Sequence, residues 1–188
     1  NPLIGGILFI NPNNPTGAVY PKEVLEGIVA LAREFGLFLV ADEIYIHMVF
    51  PGVDTAHLSE VCTDVPAIVM RGISKELPWP GSRCGWIEVL NRSVDDNFAA
   101  YVDSLVAAKR LEVCSTSGPQ LAVPRIFADP RYPAHLAERA GVYAARAQQA
   151  HDILSAVPGV SINKAQGAFY MTALIDRAMS SASPMTRE

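Results

Sequence analysis

Three short runs of consecutive apolar residues, Leu3–Ile10, Leu37–Ala41 and Ala67–Met70, lack the polar alternation of a half-exposed strand. Such runs predict strands buried on both faces. Between the first two, Pro21 opens a pattern in which Val24, Leu25, Ile28, Val29, Ala32 and Phe35 recur at helical spacing, and Gly36 closes it. Strand, helix, strand implies a parallel pair with a right-handed crossover. A polar cluster follows each strand: Asn11-Pro12-Asn13-Asn14-Pro15-Thr16-Gly17, then Asp42-Glu43-Ile44-Tyr45, then Ser74-Lys75. Open α/β sheets bind ligands beyond the carboxyl ends of their strands, so the three clusters are expected to face one crevice.

The later chain continues this pattern. Gly85–Leu90 predicts another strand, and Asp95–Arg110 an amphipathic helix with Phe98, Val102, Leu105 and Val106 inward. A polar break at Ser115–Pro119 precedes a short segment interrupted by Pro124. Tyr132–Val157 predicts one long helix with Pro133 in its first turn and Pro158-Gly159 stopping it. There is no internal repeat, and no linker longer than a loop.

Composition narrows the function classes. With 188 residues, 50% of them hydrophobic, the chain can bury a sizeable core, and one domain plus part of another is the natural expectation. A net charge of −4 without a basic run argues against nucleic acid. Cys62, Cys84 and Cys114 are odd in number without paired spacing, which argues against disulfides and zinc. His47, His57, His135 and His151 also lack ligand spacing and are assigned to core or surface. No signal peptide and no long apolar span is evident, so a soluble cytoplasmic protein without membrane contact is expected.

The order Asn14-Pro15-Thr16-Gly17, Asp42-x-x-Tyr45, Ser74-Lys75 and Arg83-x-Gly85 resembles the pyridoxal-phosphate enzymes of fold type I, specifically the class I/II aminotransferases. The resemblance runs from about Leu3 to about Ile175. It implies an α/β fold, a three-layer, mostly parallel sheet with the start of a small α/β domain. Residues 1–141 would form part of the large cofactor-binding domain, and 142–188 would continue the long helix into the small one, with Val160–Ile175 a pair of strands there. Gly167-Ala168-Phe169-Tyr170 resembles the family's Gly-x-Phe-Tyr segment near the substrate.

The resemblance also implies pyridoxal 5'-phosphate as cofactor and roles for six residues, each set against a plainer reading. Lys75 would be the Schiff-base lysine and proton shuttle, since its amine is nucleophilic when desolvated; the plainer reading is a surface lysine. Asp42, ending an apolar run, would answer the protonated pyridine nitrogen; otherwise it caps a helix or pairs with Arg71. Tyr45 and Asn14 would hydrogen-bond the ring oxygen beside the aldehyde; otherwise they are an interfacial tyrosine and a turn asparagine. Arg83 and Ser74 would hold the phosphate, with Gly81 and Gly85 admitting close backbone, and the plainer Arg83 is an exposed one. Glu43 is assigned to structure or to a dimer interface. Thr16 and Gly17 support the turn, where one prolyl bond in the family is often cis. The position three before the lysine, often a second hydroxyl in the family, is Gly72 here.

The implied activity is transfer of an amino group between an amino acid and a 2-keto acid, by a homodimer. The alternatives are another fold type I enzyme, such as a C–S lyase, decarboxylase or synthase, or an aminotransferase-like sensor domain of a transcription regulator. The family's glycine-rich phosphate loop and ring-stacking aromatic, expected before Asn1, and its carboxylate-gripping arginine, expected after Glu188, lead to the expectation that the chain is a piece of a protein about twice as long.

Overall fold

The computed structural model describes residues 3–176. Strands β1 (Gly6–Ile10), β2 (Phe38–Asp42), β3 (Ala67–Gly72) and β4 (Gly85–Leu90) form one sheet in the order β1-β2-β3-β4. The first three are parallel, with Ile10 paired to Asp42 and Asp42 to Met70, so their carboxyl ends stop in one row. The strand β4 runs antiparallel to β3, with Gly72 opposite Gly85. The stretch 73–84 carries only a short 3-10 turn at Pro80–Ser82, too little to cross back to the sheet's other end, so it returns at once as a hairpin. Lys75 and Arg83 therefore share one loop at the carboxyl edge.

Helix α1 (Lys22–Phe35) packs on one face of the sheet through Leu25, Val29 and Ala32, against Phe9, Leu39, Ala41, Ala67 and Val69. Gly36 caps it in the left-handed conformation. A single turn of helix, α2 (Leu58–Val61), closes this core from the side with the fully buried Leu58. Helix α3 (Asp96–Lys109) covers the other face with Phe98 and Val102 on Ile68, Phe38 and Val89, and Asp95 caps it by accepting from the Phe98 N–H at 2.6 Å.

Burial on both faces thus holds at the centre of the sheet and fails at its margin. Leu8 of the outer strand β1 is 65% exposed, and Leu3 and Ile4 lie before the strand and are also exposed. Val24, Phe35 and Val106, expected to face inward, are exposed as well, because each lies at the border of its helix's apolar stripe.

The expected break at Ser115–Pro119 is instead the start of a helix, α4 (Ser117–Phe127). Pro119 falls in its first turn, where a missing N–H costs nothing, and Pro124 removes one interior bond without ending the helix. Helix α5 (Tyr132–Ser155) follows as predicted, and β5 (Val160–Ile162) pairs antiparallel with β6 (Ala173–Ile175). The end of the expected small domain, 177–188, lies outside the described residues.

The chain between β5 and β6 straps itself onto the turn after β1. The N–H groups of Gln166 and Gly167 both donate to the Gly17 carbonyl, at 2.8 and 3.0 Å, and Asn163 Nδ2 donates to the Thr16 carbonyl at 2.6 Å. Asn13 Oδ1 holds the turn by accepting from the Thr16 hydroxyl at 2.7 Å, and the bonds before Pro12 and Pro15 are both cis. Gly17 has φ +69°, and a Cβ there would lie 2.3 Å from the Tyr170 carbonyl oxygen.

Gly17→Ala therefore combines a left-handed backbone with a backbone clash. It is expected to destabilise the fold by more than about 2 kcal/mol, read as a lower denaturant midpoint; an unchanged midpoint would mean that the strap does not sit against the turn.

Candidate functional site

Parallel register brings the polar clusters together. Ile10, Asp42 and Met70 end their strands side by side, and beyond them a cavity of about 340 Å³ is lined by Asn14, Asp42, Tyr45, Ser74, Lys75 and Arg83. All six candidate residues of the sequence meet there. Ile10, Ile44, Met70 and Pro80 complete its apolar wall, and Arg71 is also at the rim.

Alternation along β2 decides where Asp42 lies. Ala41 packs into the core on the α1 side, so Asp42 belongs to the opposite face. Its Oδ1 accepts from the Ile44 N–H at 3.1 Å, a local bond that tightens the turn into Tyr45. Arg71, the structural base considered as a partner for Asp42, is engaged elsewhere: it pairs with Glu43 at 2.9 Å and Glu88 at 3.3 Å. Glu43 is buried, and its other oxygen accepts from the Leu58 N–H at 2.7 Å, one of the orphan donors that opens α2. Glu43 is thus structural, as one of the two assignments had it.

Tyr45 is only 3% exposed, and its hydroxyl lies 2.7 Å from that of Tyr170. Burial, the leading cause, and the nearby Asp42 carboxylate push the Tyr45 phenol well above its ordinary value and keep it protonated. Lys75 Nζ sits 6.0 Å from the centre of the Tyr45 ring and 5.7 Å from that of Phe169, an amine held between aromatic faces. Asn14 and Arg83 are exposed at the mouth. Arg83 has φ +48°, and its Nη1 donates to the Pro80 carbonyl at 3.0 Å.

Sequence reasoning missed what fixes the Lys75 backbone. Glu76 is buried, and its carboxylate accepts from the Tyr132 hydroxyl at 2.8 Å and from His47 Nδ1. His135 Nε2 donates to the Glu76 carbonyl at 3.3 Å, and Arg139 Nη2 to the Lys75 carbonyl at 3.3 Å. Tyr132, His135 and Arg139 stand three and then four apart on α5, one face of one helix. That spacing was visible in the sequence, whereas the burial of Glu76 was not. Burial and Glu76 together push the Tyr132 phenol up, so it remains a donor. His47, His57 and His135 therefore serve in hydrogen-bond networks, His57 Nδ1 lying 3.2 Å from Glu43 Oε2.

Gly72 has a steric reason. A Cβ there would lie 2.9 Å from the Cys84 carbonyl oxygen and 3.1 Å from the Gly85 Cα, because the hairpin draws the two glycines together. No hydroxyl side chain fits at that position without moving backbone.

The sequence profile described as "Aminotransferase class I and II" matches residues 1–188. An uncharacterized aminotransferase of Methanocaldococcus jannaschii is 50% identical over 176 residues, covering 94% of this chain and 41% of the relative. The glutamate-pyruvate aminotransferase AlaA of Escherichia coli strain K12 is 33% identical over 93% of this chain and 43% of its own length. Among solved structures, an alanine aminotransferase from Pyrococcus furiosus superposes with a TM-score of 0.81 at 31% identity, over 96% of this chain and 44% of that one. The chain thus spans about two fifths of the length of these relatives. With the profile matching throughout and the fold shared, the chain belongs to the class I and II aminotransferases.

Proposed function

We propose that the protein carrying this chain is an aminotransferase that uses pyridoxal 5'-phosphate to move an amino group between an amino acid and a 2-keto acid. The observation that carries this reading is the single cavity lined by Asn14, Asp42, Tyr45, Ser74, Lys75 and Arg83. Its donor set fits the cofactor: an amine between aromatic faces, a carboxylate at a strand end, a buried phenol kept protonated, an amide, and a hydroxyl beside a guanidinium.

Lys75 would carry the cofactor and move the substrate α-proton at Nζ. Asp42 would accept a hydrogen bond from the protonated pyridine nitrogen and hold its charge. Asn14 and Tyr45 would donate to the ring oxygen, and Ser74 and Arg83 to the phosphate. Bound there, the cofactor supplies an electron sink for the bond broken at the substrate α-carbon. The network of Glu76 with Tyr132, His47, His135 and Arg139 would keep the Lys75 backbone from swinging while Nζ works. With one hydroxyl fewer at Gly72, phosphate binding would lean more on groups outside this chain. The cytoplasmic homodimer implied by the family belongs to the same reading.

The named relatives include glutamate-pyruvate, alanine and tyrosine aminotransferases, so alanine, glutamate and tyrosine are the first donors to assay. In the full-length protein, Lys75→Ala is expected to abolish the pH-dependent change in the absorption of bound cofactor and lower amino-group transfer by at least about 10³-fold. Donor-dependent release of a keto acid without amination of a keto-acid acceptor would instead favour a lyase or decarboxylase.

Two variants test the supports of the site. Glu76→Ala leaves Tyr132 and His47 without their acceptor and should cost about 2–3 kcal/mol in denaturant unfolding; a loss under about 0.5 kcal/mol would show that the network is slack. Gly72→Ser restores the family's more usual hydroxyl at a position with no room for it. It should lower the thermal midpoint without tightening cofactor binding, and a tighter cofactor at unchanged midpoint would contradict the steric account.

A further inference from the structure

We infer that Tyr170 is a positioning residue acting through Tyr45: its hydroxyl donates to the Tyr45 oxygen and so turns the Tyr45 proton towards the ring oxygen of the bound cofactor. This rests on the function proposed above and adds to it a residue outside the eleven that line the cavity.

The two hydroxyls are 2.7 Å apart, and either could be the donor. A phenol has one proton to give and lone pairs that accept. If Tyr45 gave its proton to Tyr170, it would have none for the cofactor. An anionic ring oxygen accepts only. The one arrangement that makes both bonds runs Tyr170 to Tyr45 to ring oxygen, and a donor that is itself a hydrogen-bond acceptor is strengthened by the bond it accepts.

Tyr170 is held in position for this. The strap fastens its segment to the Gly17 carbonyl, and the Ala168 N–H donates to the Met48 carbonyl at 2.9 Å, one residue pair beyond the bridge between Val49 and Gly167. Ala168 is fully buried with φ +57°, a backbone conformation retained where its surroundings fix it. The Tyr170 ring meets that of Tyr45 edge-on, with centres 5.5 Å apart at 87°, and packs on Phe169 at 4.6 Å. Neither ring needs to move to form the pair.

The titratable groups around the pair are few. Asp42 faces Tyr45 from the end of β2, and Lys75 from the loop after β3. Tyr143 and Arg139 of α5 reach the same cluster through Phe169 and through the contact of Arg139 with the Tyr143 ring. Burial raises the pKa of Tyr45 and keeps it a donor through the neutral range.

The test is spectroscopic and uses the full-length protein loaded with pyridoxal 5'-phosphate. Four proteins are titrated: the parent, Tyr45→Phe, Tyr170→Phe and the double variant. The reading is the pH midpoint of the visible absorption change of the bound cofactor. Losing a donor to the anionic ring oxygen makes the nitrogen of cofactor-bound Lys75 harder to deprotonate, so the midpoint rises. A charge-assisted bond is worth about 1–2 pH units, of which cooperative reinforcement supplies roughly a fifth. Tyr170→Phe, which keeps the ring packing, should therefore raise the midpoint by about 0.2–0.4 unit, less than Tyr45→Phe does, and add nothing in the Tyr45→Phe background. No shift from Tyr170→Phe, or an equal shift in both backgrounds, would overturn the relay while leaving the aminotransferase reading intact. A parent protein without any cofactor absorption would overturn both.

Discussion

Parallel register is the constraint on which the site depends. Asp42 is paired with Ile10 on one side and Met70 on the other, so the polar residues that follow each strand enter the same space although they are some seventy positions apart. A slip of one residue would exchange the faces of β2, sending Asp42 towards α1 and Ala41 towards the cavity. The cores on the two sides forbid it: Leu39 and Ala41 are fully buried against α1, and Phe38 packs with Phe98 of α3. Ordinary apolar packing thereby sets the place of a carboxylate.

A second layer of the structure is polar. Helix α5 has only one buried residue, Ala140, so little apolar packing from its own side chains ties it to the sheet. It is tied by bonds from Tyr132, His135 and Arg139 to Lys75 and Glu76. Half-buried hydrogen bonds such as these fix geometry more sharply than apolar contacts, which tolerate sliding, although Arg139 Nε finds no partner among them. Placing such a network next to Lys75 restrains the backbone of the residue that, in the proposed function, would both hold a cofactor and move a proton.

The sequence carried the strands, α1, α5 and the six cavity residues because these have local signatures: apolar runs, helical periodicity, and polar clusters at strand ends. It did not carry α4, since Pro119 and Pro124 read as breaks although the first turn tolerates one and a single lost bond does not end a helix. Nor did it carry the exposure of Leu8, which depends on the strand's place at the margin of the described sheet, not on its own residues. The burial of Glu76, the pairing of Tyr170 with Tyr45 and the strap on Gly17 were illegible for a related reason. Each depends on contacts between positions 56 to more than 140 residues apart, which no local pattern encodes.

In the proposed function Lys75 is the residue that binds the cofactor. Borohydride reduction of the full-length protein with pyridoxal phosphate, followed by proteolysis and mass spectrometry of the peptides, tests this assignment. One reduced pyridoxyl adduct is expected, on Lys75, at close to one per chain. Labelling of Lys22, Lys109 or Lys164 in its place, or a Lys75 peptide recovered unmodified, would contradict it.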